Sequence, residues 1–100
     1  MKPVRFHDAA RLELLSEIQY YASISPQLAR RLATAVEQAT ELAAQFPEMG
    51  SPYKHGTRRV FPRKFPLSVV YLARESEVYV IALAPFRRKP GYWRGRTKVP

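Results

Sequence analysis

Two apolar runs rich in β-forming residues, Leu67–Ala73 and Val78–Ala84, stand four residues apart, joined by the charged segment Arg74–Glu77. Branched and aromatic side chains suit a pleated surface, and a four-residue polar loop closes such a pair into an antiparallel hairpin. Both runs are apolar at nearly every position, with Ser68 as the one polar interruption. A strand that reads this way is covered on both faces. The rest of the chain has to supply those covers.

Upstream, Val4-Arg5-Phe6 reads as a short strand, and Pro3 before it suits a strand start or edge. Asp8 then offers a carboxylate to the free N–H groups of a first helical turn. Leu12, Leu15, Ile18 and Ala22, with Leu14 and Tyr21 beside them, make one stripe on a helix from about Ala9 to Ser23. Glu13 and Glu17 are a like-charged i,i+4 pair on another face, either solvated or answered by an arginine of the sheet. Ser25 and Pro26 suit the N-cap and first position of a second helix reaching about Phe46. Its stripe is Leu28, Leu32, Ala35, Val36, Ala39, Leu42, Ala43 and Phe46. So short a connection predicts an antiparallel helical hairpin. Residues 47–57 read as a loop with Lys54 and His55 at its tip. Arg59-Val60-Phe61 reads as a strand stopped by Pro62, and Arg63–Pro66 as a turn carrying two cations. The order is β-α-α-β-β-β. It predicts one α+β domain over residues 1–100, an N-terminal strand and helical hairpin packed on a small, mainly antiparallel sheet, with a basic tail over residues 86–100.

The formal charge of +9 is unevenly placed. Residues 1–50 hold five Lys/Arg against six Asp/Glu, and residues 51–100 hold twelve against two. A basic second half interleaved with aromatics points to an anionic partner, either nucleic acid or an acidic protein surface. There is no cysteine, which excludes disulfides and thiolate metal sites. No ligand spacing suggests a metal, and no cofactor is expected; His55 and His7 stand alone. The uncharged apolar stretches fall far short of the ~20 residues that span a bilayer, and charges interrupt the N-terminus where a signal peptide needs an apolar run. The expectation is a cytoplasmic protein with no membrane partner.

Several of these pieces together resemble the RelE/ParE superfamily of type II toxin–antitoxin (plasmid stabilisation) toxins. They are the opening Phe6-His7-Asp8-Ala9-Ala10 with Glu13-Leu14, the pair Tyr20-Tyr21, and Phe46-Pro47 followed by Gly50. Arg59, Phe65-Pro66, Val70-Tyr71 and the segment Arg87-Arg88-x-Pro-x-Tyr-Trp ending at Trp93 complete the resemblance. It implies a growth-inhibiting toxin neutralised by a cognate antitoxin, in a possible hetero-oligomer. Its target is either the ribosome and its mRNA, which RelE-like members cleave as endoribonucleases, or DNA gyrase, which ParE-like members poison. A toxin-fold binding module without catalysis, holding only an antitoxin or nucleic acid, is the alternative.

Metal-independent RNA cleavage needs a base for the 2′-OH, cations for the phosphate and an acid for the leaving oxygen. The resemblance assigns candidate catalytic roles to Arg59, Arg88 and Tyr92. Lys54, Arg63, Lys64, Arg87, Lys89, Trp93, Arg94 and Arg96 are candidate nucleic-acid or target-binding residues. Two further positions of the nuclease pattern fall on Ser68 and Phe86, which supply neither charge nor proton transfer. Structural readings stand beside these. Arg59 could pair with Glu13 or Glu17, and Tyr92 and Trp93 could pack the tail onto the sheet.

Overall fold

The computed structural model describes residues 1–98; the last two residues of the basic tail lie outside the described residues. The hairpin forms as expected. Strand β4 is Leu67–Ala73 and strand β5 is Val78–Pro85, paired antiparallel and closed by a bond from the Arg74 N–H to the Glu77 carbonyl at 2.9 Å. The register shifts between Val70 and Tyr71, an irregularity of the kind that bends and twists a ribbon. β1 (Val4–Phe6) runs parallel to β5, with Val4 opposite Val78. β3 (Arg58–Val60) pairs antiparallel with β4, one residue earlier than its sequence suggests. A two-residue strand, β2 (Ser51–Pro52), lies inside the expected loop and pairs with β3, giving the sheet order β1-β5-β4-β3-β2. Two residues leave too little alternation to show as a strand in sequence.

Helix α1 spans Asp8–Ile24 and α2 spans Pro26–Gln45. Ser25 serves both. Its N–H donates to the Tyr21 carbonyl at 2.8 Å to end α1, and its hydroxyl accepts from the Gln27 and Leu28 N–H groups to begin α2. The cap of α1 corrects the sequence reading. His7 Nδ1 accepts from the Ala9 N–H at 3.0 Å, and Asp8 is the first helical residue, its charge still favourable there. The stripe of α1 is also rotated. Leu12 and Leu15 are exposed, and the inward face is Ala10, Leu14, Glu17, Ile18 and Tyr21. Glu17 interrupts that stripe and conceals it in the sequence. On α2, Leu42 and Phe46 are likewise exposed, while Thr40 and Ala44 turn inward.

The two helices cover one face of the sheet around Leu32, Val36, Val69, Tyr71, Val78 and Val80. Each such burial contributes roughly 1.5–3 kcal/mol for the larger side chains. Tyr71 anchors the entry to the sheet. Its hydroxyl donates to the Pro47 carbonyl at 2.7 Å and accepts from the Gly50 N–H at 3.2 Å. A Cβ at position 50 would overlap the Tyr71 ring and hydroxyl, so the Pro-x-x-Gly spacing follows from close approach. The far face is closed by the tail. Trp93 packs with Val70, Tyr79, Ile81 and Ala82 and is only 1 % exposed. Tyr53 and His55 flank its ring at 5.8 and 5.9 Å between centroids. A single turn at Arg94–Thr97 then crosses toward α1.

Candidate functional site

β1 ends at Phe6, opposite Val80, and leaves the edge of β5 that faces away from β4 without a neighbouring strand over its second half. Its N–H and C=O groups still need partners, and an open edge invites pairing with another chain. Three side chains fill the gap. Glu13 Oε1 accepts from the Leu83 N–H at 3.1 Å. Arg96 Nη1 donates to the Ile81 carbonyl at 3.1 Å. The Tyr92 hydroxyl donates to Glu13 Oε2 at 2.7 Å and lies 3.3 Å from the Leu83 carbonyl.

Glu13 is the hub of this arrangement. Arg96 binds both of its oxygens, at 2.9 and 3.1 Å, a bidentate pair that fixes direction as well as charge. Arg88 reaches Oε2 at 3.3 Å, its guanidinium stacked 3.6 Å from the Tyr92 ring centroid. One turn further along α1, the buried Glu17 accepts from Arg87 at 3.1 Å. Glu13 and Glu17 thus hold three arginines of the tail. Burial pushes the Tyr92 hydroxyl well above the ordinary tyrosine range, and its bond to Glu13 pushes it the same way. The nearby arginines oppose this and lose. Tyr92 keeps its proton throughout the physiological range.

The sequence candidates fall into distinct places. Arg88, Tyr92, Arg96 and Arg87 are brought together on Glu13 and Glu17. Trp93 sits in the core, which corrects its expected place on the target-binding rim. Arg59 pairs with neither Glu13 nor Glu17, whose partners are Arg87, Arg88 and Arg96. It lies on the far side of the sheet, 3.9 Å over the Tyr53 ring and 5.1 Å from Phe61, with its Nε buried and unbonded among the described residues. Cation–π attraction takes the place of the ion pair. Ser68 is buried on β4, opposite Ala84. Phe86 is exposed, edge-on to Phe61 at 6.1 Å. Lys54, Lys89 and Arg94 stand exposed with no ion pair among the described residues. Arg63 and Lys64 are elsewhere, on the β3–β4 turn beside α2.

Chemically, the tail rim sets three arginines against two carboxylates, with Arg96 mostly covered and Arg87 and Arg88 largely open to solvent. The crevice lined by Glu13, Ser16, Glu17, Pro85, Arg87 and Arg88 holds about 80 Å³. Small-molecule sites hold roughly 300–1,000 Å³. Among the described residues no group of three or more His, Cys, Asp or Glu could hold a metal ion, and no helix is long and apolar enough to cross a membrane.

Residues 4–90 match the family model of the ParE toxin of the type II toxin–antitoxin system parDE. The chain belongs to the ParE toxin family. The match stops at residue 90, so Tyr92 and Trp93, which close the far face, lie beyond it. Among solved structures, one titled as a chromosomal ParDE toxin–antitoxin system from P. aeruginosa is similar, with a TM-score of 0.75 and 17 % identity. The similarity covers 85 % of this chain and 96 % of that one, and it shows a shared fold. No curated protein matches the sequence. The ParE family lies within the wider RelE/ParE resemblance read from the residues, and the α+β architecture agrees with it.

Arginines do answer Glu13 and Glu17, one of the two expectations, but they come from the tail, 70 to 83 residues away, and not from the sheet. Sequence reasoning missed two things. Tyr53 was read only as part of a loop, although it carries Arg59 and Trp93. Arg30 and Arg31 are an adjacent cation pair on α2, outside the basic second half of the chain to which the charge count points.

Proposed function

We propose that this chain is the toxin of a type II pair, working in the cytoplasm, that arrests growth by holding DNA gyrase and has no nucleolytic chemistry of its own. A cognate antitoxin neutralises it in a hetero-oligomer. The observation that carries this reading is the Glu13 hub. RNA cleavage without a metal needs a group that can take the 2′-OH proton and cations free to hold phosphate. Tyr92 donates a hydrogen bond to Glu13 and holds its proton tightly. Arg88 and Arg96 are bound to the same carboxylate, and Arg87 to Glu17. Ser68 and Phe86 bring no acid, base or charge, and the loss of one charge-stabilising group alone costs about 100–1,000-fold in comparable sites. The same contacts suit a toxin that works by binding, because they make the tail a rigid part of the surface. Lys54, Lys89 and Arg94 remain as cations able to meet a partner.

The test pairs two measurements. Purified protein added to gyrase and relaxed plasmid is expected to block supercoiling. Primer-extension mapping of transcripts after induction is expected to show no new cuts. Cuts in the ribosomal A site with supercoiling intact would overturn the reading in favour of a nuclease. Induction without any growth arrest would overturn it in favour of a toxin fold retained only for binding.

A further inference from the structure

The far face of the sheet carries a row of groups that neither the Glu13 hub nor the helical core uses. Phe86 and Phe61 stand edge to face at 6.1 Å between centroids. The Arg59 guanidinium lies 5.1 Å from the Phe61 ring and 3.9 Å over Tyr53. The row crosses from the end of β5 through β3 to the loop after β2. Phe86 and Phe61 are 59 % and 48 % exposed. Ser68 on β4 lies opposite Ala84 on β5, and by strand alternation it turns away from Leu67 and Val69, which pack in the helical core. These two small residues leave the phenylalanine rings standing clear of the sheet.

The cations of this face are free. Arg59 joins no ion pair among the described residues, and its Nε is buried without a bond. Tyr53 holds the guanidinium plane, so its terminal nitrogens form a fixed fork of the kind that suits a phosphate. Lys54 follows Tyr53, Arg94 follows Trp93, and Lys89 follows Phe86 by three residues. None of these three is ion-paired among the described residues either.

We propose that this row binds a single strand of DNA, with bases stacked on Phe61 and Phe86 and a phosphate on Arg59. Open aromatic faces beside cations are the mode by which proteins hold a strand without reading its sequence. An acidic protein surface would answer the cations but set carboxylates against the two phenylalanine rings. A nucleotide answers both, since every base has a π-face and every linkage a charge. Phe61, Phe86 and Arg59 offer no side-chain acceptor for a 2′-OH proton, so ribose gains nothing here. DNA also lacks that hydroxyl as an internal nucleophile, so a strand held on this face stays whole. The choice of DNA over RNA rests on the gyrase reading above, since the substrate of that target is DNA.

The test uses the full chain and fluorescence anisotropy with three labelled probes: an oligothymidylate of about 12 nucleotides, an abasic deoxyribose-phosphate chain of the same length, and an oligouridylate of the same length. The oligothymidylate is expected to bind most tightly. The abasic chain keeps the charge, loses the stacking and is expected to bind about tenfold or more weaker. Phe61→Ala with Phe86→Ala is expected to weaken the oligothymidylate about tenfold or more and to leave the abasic chain unchanged. Arg59→Gln is expected to weaken both and to lower the salt dependence by about one counterion. Arg63→Gln, beside α2, removes the same charge and is expected to change oligothymidylate affinity by no more than about twofold. Circular dichroism checks the fold, and Phe61→Leu with Phe86→Leu replaces the alanine pair if that pair does not fold. No probe contains gyrase, so failure of the gyrase reading shows separately, as supercoiling left intact. Equal affinity for the oligothymidylate and the abasic chain, tighter binding of the oligouridylate, or no binding at about 100 µM protein in low salt would each overturn the proposal.

Discussion

The tail rim and the groove between α2 and the β3–β4 turn carry the same kind of side chain and put it to different uses. At the rim, Arg87, Arg88 and Arg96 are met by the glutamates of α1. In the groove, Arg30, Arg31, Arg63 and Lys64 face one another without an acid. A count of basic residues ranks the rim first, since the tail is the most cationic segment of the chain. The contacts reverse that order. Charge that is already paired inside the protein stabilises the fold and has less to offer a partner, whereas unpaired charge steers association. Position in the fold, more than the number of arginines, separates the structural cations from the available ones.

If the tail is structural, cutting it loose has the largest effect. Trp93→Ala removes the side chain that closes the far face and is expected to cost about 3–5 kcal/mol, read as a lower midpoint in chemical denaturation. A loss below about 1 kcal/mol would make the tail a detachable rim and remove the contrast. Glu13→Ala comes next, at about 3 kcal/mol, because it leaves Arg96, the Tyr92 hydroxyl and the Leu83 N–H without their acceptor. The same measurement on a variant lacking only Arg94, which is exposed and unpaired, is expected to stay within about 0.5 kcal/mol of the parent.

Alkaline pH probes the same contacts without mutation. Burial raises the hydroxyls of Tyr92, Tyr71 and Tyr21, so each holds its proton more tightly folded than unfolded. Their contribution is complete below the unfolded value of about 10 and is lost as pH rises above it. Stability is therefore expected to drop steeply above about pH 10, and less steeply in Tyr92→Phe, when followed by denaturation at stepped pH. An unchanged slope in that variant would mean that Tyr92 is not held as described.

The effect at the β3–β4 turn has the opposite sign. Lys64→Gly relieves a left-handed backbone and removes a cation together. It is expected to raise stability by up to about 1 kcal/mol. A variant that loses stability would place Lys64 among the residues that hold the fold.

How far the sequence carries depends on the range of the interactions involved. The hairpin Leu67–Pro85 is legible because strand propensity, the turn at Arg74–Glu77 and apolar continuity agree locally. Ser25 as a shared cap is legible for the same reason. The α1 stripe is not, because Glu17 belongs to the buried face only once Arg87 arrives from the tail. His7 displaces Asp8 as the cap through the geometry of the strand-to-helix turn, which no residue preference reports. The gap in β5 that Glu13 fills exists only because β1 is three residues long and stops at Phe6. Candidate residues could be named from their types, but their state could not. Arg88 and Tyr92 read as catalytic from their types, and the acid that binds both is visible only in the fold.

Tyr92→Phe bears most directly on the central claim that the Glu13 hub is structural and takes no part in RNA chemistry. Parent and variant would be induced side by side, with growth, transcript cuts and gyrase supercoiling measured together. Both are expected to arrest growth and block supercoiling, and neither to cut RNA. Transcript cleavage by the parent that disappears in Tyr92→Phe, with its fold intact, would contradict the account.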